Sequence, residues 1–199
     1  MTSLRAAAIA TVAAHLLGLG FAAFGMRPGT PLVPIAERMR YLASSPPGWI
    51  LGWLVWIVCA LSFAVFFAAL GPRLAPSTRR AAWVCVILAV VTDLICDTAQ
   101  IFLAPAYARG GEAGFLALER ALGLGGALVA NSLYVAAVLV ANAVFQSQAA
   151  RRLGWATGVA GLALSVGGLL DMPRLIEIAT GPTMLLFCAW TLAASMEES

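Results

Sequence analysis

The sequence predicts an all-α, polytopic membrane protein, a bundle of about six spanning helices forming one domain over residues 1–199. Three observations carry this. Hydrophobic residues make up 62% of the chain and charged residues only 11%, whereas a soluble domain carries about 25% charge. The apolar residues fall into runs near the roughly 20 residues that a helix needs to cross a bilayer. Apart from one acidic stretch, the charges collect in the connections between those runs.

Six runs qualify, at residues 4–25, 49–70, 81–104, 121–145, 153–170 and 176–194. The first has Arg5 at its start, but it is longer than a signal-peptide core. Its end, Phe24-Gly25-Met26, lacks a small-x-small cleavage pattern, so it is read as a span. Small residues recur along it at Ala7, Ala14, Gly18, Ala22 and Gly25, and along the fifth run at Gly154, Gly158, Gly161, Ser165 and Gly168. Such stripes let helix backbones approach closely. Packing within one bundle is the expectation, with a homo-oligomer or a membrane-complex partner as the alternative.

The second run opens with Trp49, Trp53 and Trp56 at i, i+4 and i+7. Trp49 suits an aromatic belt, and the deeper pair is assigned to lipid contact rather than to a ligand pocket. Gly181-Pro182 interrupts the sixth run, either as a kink or as a sign that the helix begins there. Just before that run, Asp171 is expected at the helix N-cap with Pro173 in the first turn. Arg174 and Glu177, at i and i+3, suit a local pair.

Two connections are long. Residues 34–42 place Ile35, Met39 and Leu42 on one face of a short helix. Residues 110–122 oppose Phe115, Leu118 and Leu122 to Glu112 and Glu119. Six spans put both connections on the same side, where resting on headgroups is expected in preference to covering the bundle mouth.

All 12 basic residues are arginine. They are scattered over the connections rather than massed, which argues against a nucleic-acid partner. The positive-inside count is tied. Arg5, Arg73, Arg79, Arg80, Arg151 and Arg152 lie on one side, and Arg27, Arg38, Arg40, Arg109, Arg120 and Arg174 on the other. Denser clusters in the short turns favour both termini in the cytoplasm of a bacterial cell, with the chain in the inner membrane. Cys59, Cys85, Cys96 and Cys188 all fall in apolar runs without a C-x-x-C pair. They read as buried thiols, not as a zinc or disulfide framework.

The acidic stretch is Thr92-Asp93-Leu94-Ile95-Cys96-Asp97-Thr98-Ala99-Gln100, in the third run. It sets Asp93, Asp97 and Gln100 on one helix face. Carboxylates at membrane depth are costly and mark a functional site by default. At about 1.5 Å per residue, Asp93 lies near mid-span, as do His15 on the first run and Asn131 and Tyr134 on the fourth. Asn142 shares the face of Asn131 and Tyr134, nearer the turn. Asp93, Asp97, Gln100, Asn131, Tyr134 and His15 are therefore the candidate ligand- or ion-binding residues.

Three roles suit the carboxylates. They can be hydrogen-bonding partners of Asn131 and Tyr134. They can hold a proton, a metal ion or an organic cation, in exchange. They can also serve acid–base chemistry on a lipid-soluble substrate. No resident metal site or cofactor is expected: a single histidine without an H-x-x-x-H spacing, and no P-loop, dinucleotide fingerprint or G-x-S-x-G elbow, argue against them. The leading functional expectation is binding or translocation of a proton, cation or small amphiphile at this midplane cluster. The alternatives are a membrane-embedded enzyme and a structural or accessory subunit of a membrane complex.

The layout resembles a family of small bacterial six-helix integral membrane proteins of unknown function. The likeness lies in the long connection after the first run and the short arginine-bearing turn at residues 71–80. It extends to Arg151-Arg152-Leu153-Gly154-Trp155 before the fifth run and Gly181-Pro182-Thr183-Met184 in the sixth. It covers most of the chain by spacing and composition, and it implies no catalytic residues.

Overall fold

The computed structural model describes residues 3–196. Apolar runs in a bilayer must satisfy every backbone polar group internally, and helices do so. Among the described residues there is accordingly no strand. The helices are α1 (Ser3–Phe24), α2 (Ile35–Ala43), α3 (Pro47–Leu70), α4 (Pro76–Gly110), α5 (Glu112–Leu122), α6 (Asn131–Asn142), α7 (Gln148–Leu169) and α8 (Pro173–Met196). A π-helical segment, Gly123–Ala130, joins α5 to α6 without a break.

Five stretches are long and apolar enough to cross a membrane: α1, α3 with the turn to Arg73, α4, the continuous rod Glu112–Asn142, and α8. The fifth predicted run, α7, is as long as α1. Its apolar character is diluted by Arg151 and Arg152 in its second turn and by five glycines. The fourth run begins earlier than its hydropathy suggested, at Glu112. Residues 112–122 are therefore not a separate helix lying on the membrane but the first turns of that rod, and Phe115 in it is fully buried.

The six long helical pieces form a ring in chain order: each packs on the next, and α8 closes onto α1. Close approaches seal five of the six seams on the long-connection side. A Cβ on Gly48 of α3 would lie 2.8 Å from the carbonyl oxygen of Gly25, just past α1. Trp49 of α3 donates from Nε1 to the carbonyl of Gln100 on α4 at 2.8 Å. Gly125 of the π segment sits against Cys96 Sγ on α4, and a Cβ on Gly168 of α7 would lie 2.9 Å from the Leu128 amide nitrogen. Gly167 packs on the first turn of α8, where a Cβ would reach Ile176 N at 3.1 Å.

The small-residue stripe of α7 is thus occupied within the chain. Gly154 faces Asn142, Gly158 faces Leu139, and Gly161 faces Val135. Glycines that admit a neighbour's side chain against the backbone in this way let helices pack closely where lipid offers no hydrophobic drive.

Inside the ring, the half nearest the short turns is filled. Phe63, Phe66, Phe67, Phe187 and Trp190 interlock there, with Phe63 stacked on Phe187 at 4.8 Å and Trp190 edge-on to Phe66 at 5.8 Å. Trp190 donates to Asn142 Oδ1 at 3.2 Å, while Asn142 Nδ2 donates to the Arg151 carbonyl. Asn142 is therefore a helix tie, remote from Asp93. Outward faces are apolar throughout, as Ile95 (66% exposed), Val159 (68%) and Ile178 (69%) illustrate. Such a surface suits acyl chains and not water.

The long connections cover the other half. The expectation that they rest on headgroups is overturned. α2 packs on α4, with Leu42 in a second apolar cluster beside Met26, Trp49 and Phe115. Arg38, only 5% exposed, reaches Glu119 of α5 through a two-pronged pair at 2.7 and 3.0 Å. Its guanidinium lies 5.5 Å from the Phe115 ring centre. Glu119 therefore points inward, not to the polar side assigned to it by helical spacing.

Two local expectations also change. Asp171 is not the N-cap of α8. It takes a left-handed backbone (φ 54°) after α7, where the Met172 amide donates back to the Gly167 carbonyl at 2.8 Å. Its carboxylate lies 3.7 Å from Arg120 Nε. Glu177 does not pair with Arg174 as its spacing suggested but borders the interior cavity described below. α8 runs unbroken from Pro173 through Pro182, so Gly181-Pro182 does not mark its start.

Candidate functional site

The unfilled half of the ring holds a cavity of about 1060 Å³. Its floor is the acidic stretch of α4. With a spacing of four, Asp93 and Asp97 sit one turn apart on the face turned inward, and both line the cavity together with Gln100 and Cys96. Asp97 is 3% exposed, and its Oδ2 has no hydrogen-bond partner. Buried polar atoms are nearly always paired, so an orphaned carboxylate oxygen on a cavity wall calls for a ligand or a stored cost.

Asp93 is held by Tyr134, whose hydroxyl donates to Oδ2 at 3.1 Å. Tyr134 is itself fixed by ring contact with Phe63, 4.5 Å between centres. Equal depth left open which of Asn131, Tyr134 and His15 would meet Asp93; in the structure Tyr134 does, beside the π segment. Its wider turns place Gly126 opposite Asp93, where even a Cβ would stay 4.0 Å from Oδ1. The glycine cluster Gly123, Gly125 and Gly126 was the visible trace of this bulge, and π turns recur at functional sites.

The tryptophan stripe is a correction. Trp49, Trp53 and Trp56 do not spend their surface on lipid; all three line the cavity. Trp49 and Trp53 meet edge to face, 5.5 Å apart, and Trp53 Nε1 is buried without an acceptor. A helical stripe has no sign that tells inside from outside when both are apolar, so spacing alone missed this.

Other candidates separate. Asn131 lines the cavity, but its amide donates to the Gly161 carbonyl at 2.6 Å and to Ser165 Oγ at 2.9 Å, tying the fourth span to α7. Gln100 lends its backbone carbonyl to Trp49. His15 lies behind the floor, bordering a small void of about 60 Å³ together with Asp93, Asn131 and Tyr134. Its Nδ1 lies 2.8 Å from the Thr11 carbonyl, and its ring is 5.1 Å from Phe187.

Charge is distributed unevenly over the walls. Asp93 and Asp97 share the floor with aromatic and apolar side chains. The guanidinium nearest the roof, Arg38, is engaged by Glu119, and Arg27 and Arg120 belong to the rim. Among the described residues no group of three or more His, Cys, Asp or Glu is arranged to hold a metal ion. The geometry therefore offers negative charge, π faces and apolar volume.

No protein-family model, no curated protein and no solved structure matches the chain.

Proposed function

We propose that the chain binds a small organic cation or cationic amphiphile in the hollow half of the helical ring. Asp97 and Asp93 meet the positive charge, and Trp49, Trp53 and Trp56 enclose the apolar body. The observation that carries this reading is Asp97, 3% exposed and with a buried, partnerless Oδ2, among the residues that line a 1060 Å³ cavity. That volume is at the upper end of small-molecule sites, roughly 300–1000 Å³. Aromatic faces attract a desolvated cation by about 2 kcal/mol or more, which complements the carboxylates. A purely structural role suits Asn131 and Asn142, whose amides tie neighbouring helices. It does not account for Asp97.

The test uses two ligands of nearly equal shape and opposite charge. In phosphatidylcholine nanodiscs at matched membrane concentrations, tetraphenylphosphonium is expected to change tryptophan fluorescence saturably, and tetraphenylborate is not. Equal responses to both would remove the electrostatic basis of the proposal.

We further infer an inner-membrane location with both chain ends in the cytoplasm. The arginine count is tied, and the denser clusters Arg79-Arg80 and Arg151-Arg152 in the short turns carry the assignment. A fluorescent-protein fusion at the C-terminus should fluoresce in cells and an alkaline phosphatase fusion should be inactive; the opposite pattern inverts the topology.

A further inference from the structure

Five seams of the helical ring are closed on the cavity side by the contacts given above, and the sixth differs. α1 and α8 meet at mid-depth, where His15 lies 5.1 Å from Phe187. Beyond that level, toward the long connections, both helices turn side chains to the cavity: Leu19, Ala22 and Ala23 from α1, and Thr180, Gly181 and Met184 from α8. These are small or flexible residues. A Cβ on Gly181 would meet nothing within 4 Å, and neither would one on Gly20 of α1. Ala23 is exposed and borders the cavity.

The end of the ring that faces water is treated in the opposite way. There α2 and α5 are drawn together by the Arg38–Glu119 pair, with Arg38 stacked near Phe115. The ion pair thus bridges part of that end, whose rim also carries Arg27, Leu32, Arg120 and Asp171, while the seam between α1 and α8 is loosely packed. The surface around the open seam is apolar, with Phe24 85% exposed and Ile178 69% exposed. An acyl chain fits such a surface, and a hydrated ion does not.

We infer that the seam between the outer halves of α1 and α8 is a lateral portal, and that the ligand is a membrane-dissolved amphiphile bearing one cationic nitrogen on an apolar tail. This rests on the cation-binding reading of the same cavity and names the substrate class and its route. The cationic head travels along the tryptophan wall to Asp97 and Asp93. The tail trails back through the seam between Ala22 and Gly181, so that it stays in contact with lipid and the charge alone is transferred into the cavity. Arg38 and Glu119 tie α2 to α5 across the roof while this happens.

The probe is a nitroxide-labelled dodecyl-dimethylammonium, whose nitroxide quenches the cavity tryptophans. It is added to the full chain in phosphatidylcholine nanodiscs, and both the rate and the extent of quenching are followed. Gly181→Leu, which fills the seam, is expected to slow association by about tenfold or more. Gly20→Leu adds bulk to the open space beside α1 and is expected to act in the same direction, which guards against a local folding fault in α8. Arg38→Gln, which loosens the roof, is expected to leave the rate unchanged.

If both seam variants bind at the native rate, or if Arg38→Gln accelerates binding, entry is through the aqueous mouth and the portal is refuted. The cation-binding reading fails separately, if Asp97→Asn leaves the extent of quenching at the native level.

Discussion

Replacing Asp97 by asparagine is expected to weaken binding of an organic cation by between about tenfold and a hundredfold, each decade being about 1.4 kcal/mol. The substitution keeps the shape of the side chain and removes its charge. Of the guanidiniums that border the cavity, Arg38 is committed to Glu119 and Arg120 lies beside Asp171, which leaves the charge of Asp97 among tryptophan and apolar groups. Tetraphenylphosphonium titration against tryptophan fluorescence reads the change directly. Asp93→Asn is expected to have a smaller effect, because Asp93 already accepts from Tyr134. The double variant is expected to lose saturable binding. Stability is the control: Asp97 Oδ2 makes no hydrogen bond, so Asp97→Asn should fold at least as well as the native chain. A variant that unfolds early would recast Asp97 as a structural residue, and one that binds the cation normally would end the proposal.

The largest loss of stability is expected from Arg38→Ala. Removing one partner of a buried ion pair leaves the other charge uncompensated and typically costs about 3–5 kcal/mol. The Glu119 side chain retains 27% exposure, which places the effect at the lower end of that range, about 3 kcal/mol. The substitution also strips the cation from the face of Phe115 and leaves the α2–α5 roof without its strap. Arg38→Met combined with Glu119→Leu should recover most of the loss, because two apolar side chains of similar volume need no charge compensation. Thermal unfolding in one detergent, compared across the single and double variants, gives the result. A single variant as stable as the native chain would mean that the pair is dispensable to the roof.

Both predictions turn on residues whose chemistry was visible in the sequence and whose surroundings were not. Asp93 and Asp97 stood out because charge is rare in an apolar run, and i, i+4 spacing assigned them one face before any contact was known. Equal depth made Tyr134 one of three residues that Asp93 could meet, with Asn131 and His15, and the tertiary structure decided for Tyr134. Arg38 and Glu119 sit in separate connections, 81 residues apart, and each was read as belonging to a surface helix. Nothing in local spacing pairs them.

What the sequence determined by itself is the class of molecule. Helices are compelled wherever an apolar run is long enough, because the bilayer offers backbone groups no other partner. Hydropathy therefore pointed to the five stretches that are long and apolar enough to cross a membrane, and it read Asp93 near the middle of its run. The tertiary structure alone decided which faces look inward. In water, inside and outside differ in polarity and the helix face announces itself. In lipid, both sides of a helix are apolar, so the stripe Trp49, Trp53 and Trp56 reads the same whether it meets acyl chains or a cavity. Only the closure of six helices into a ring, with one half packed by phenylalanine and tryptophan and the other left hollow, turned that stripe into a wall and gave the carboxylates something to face.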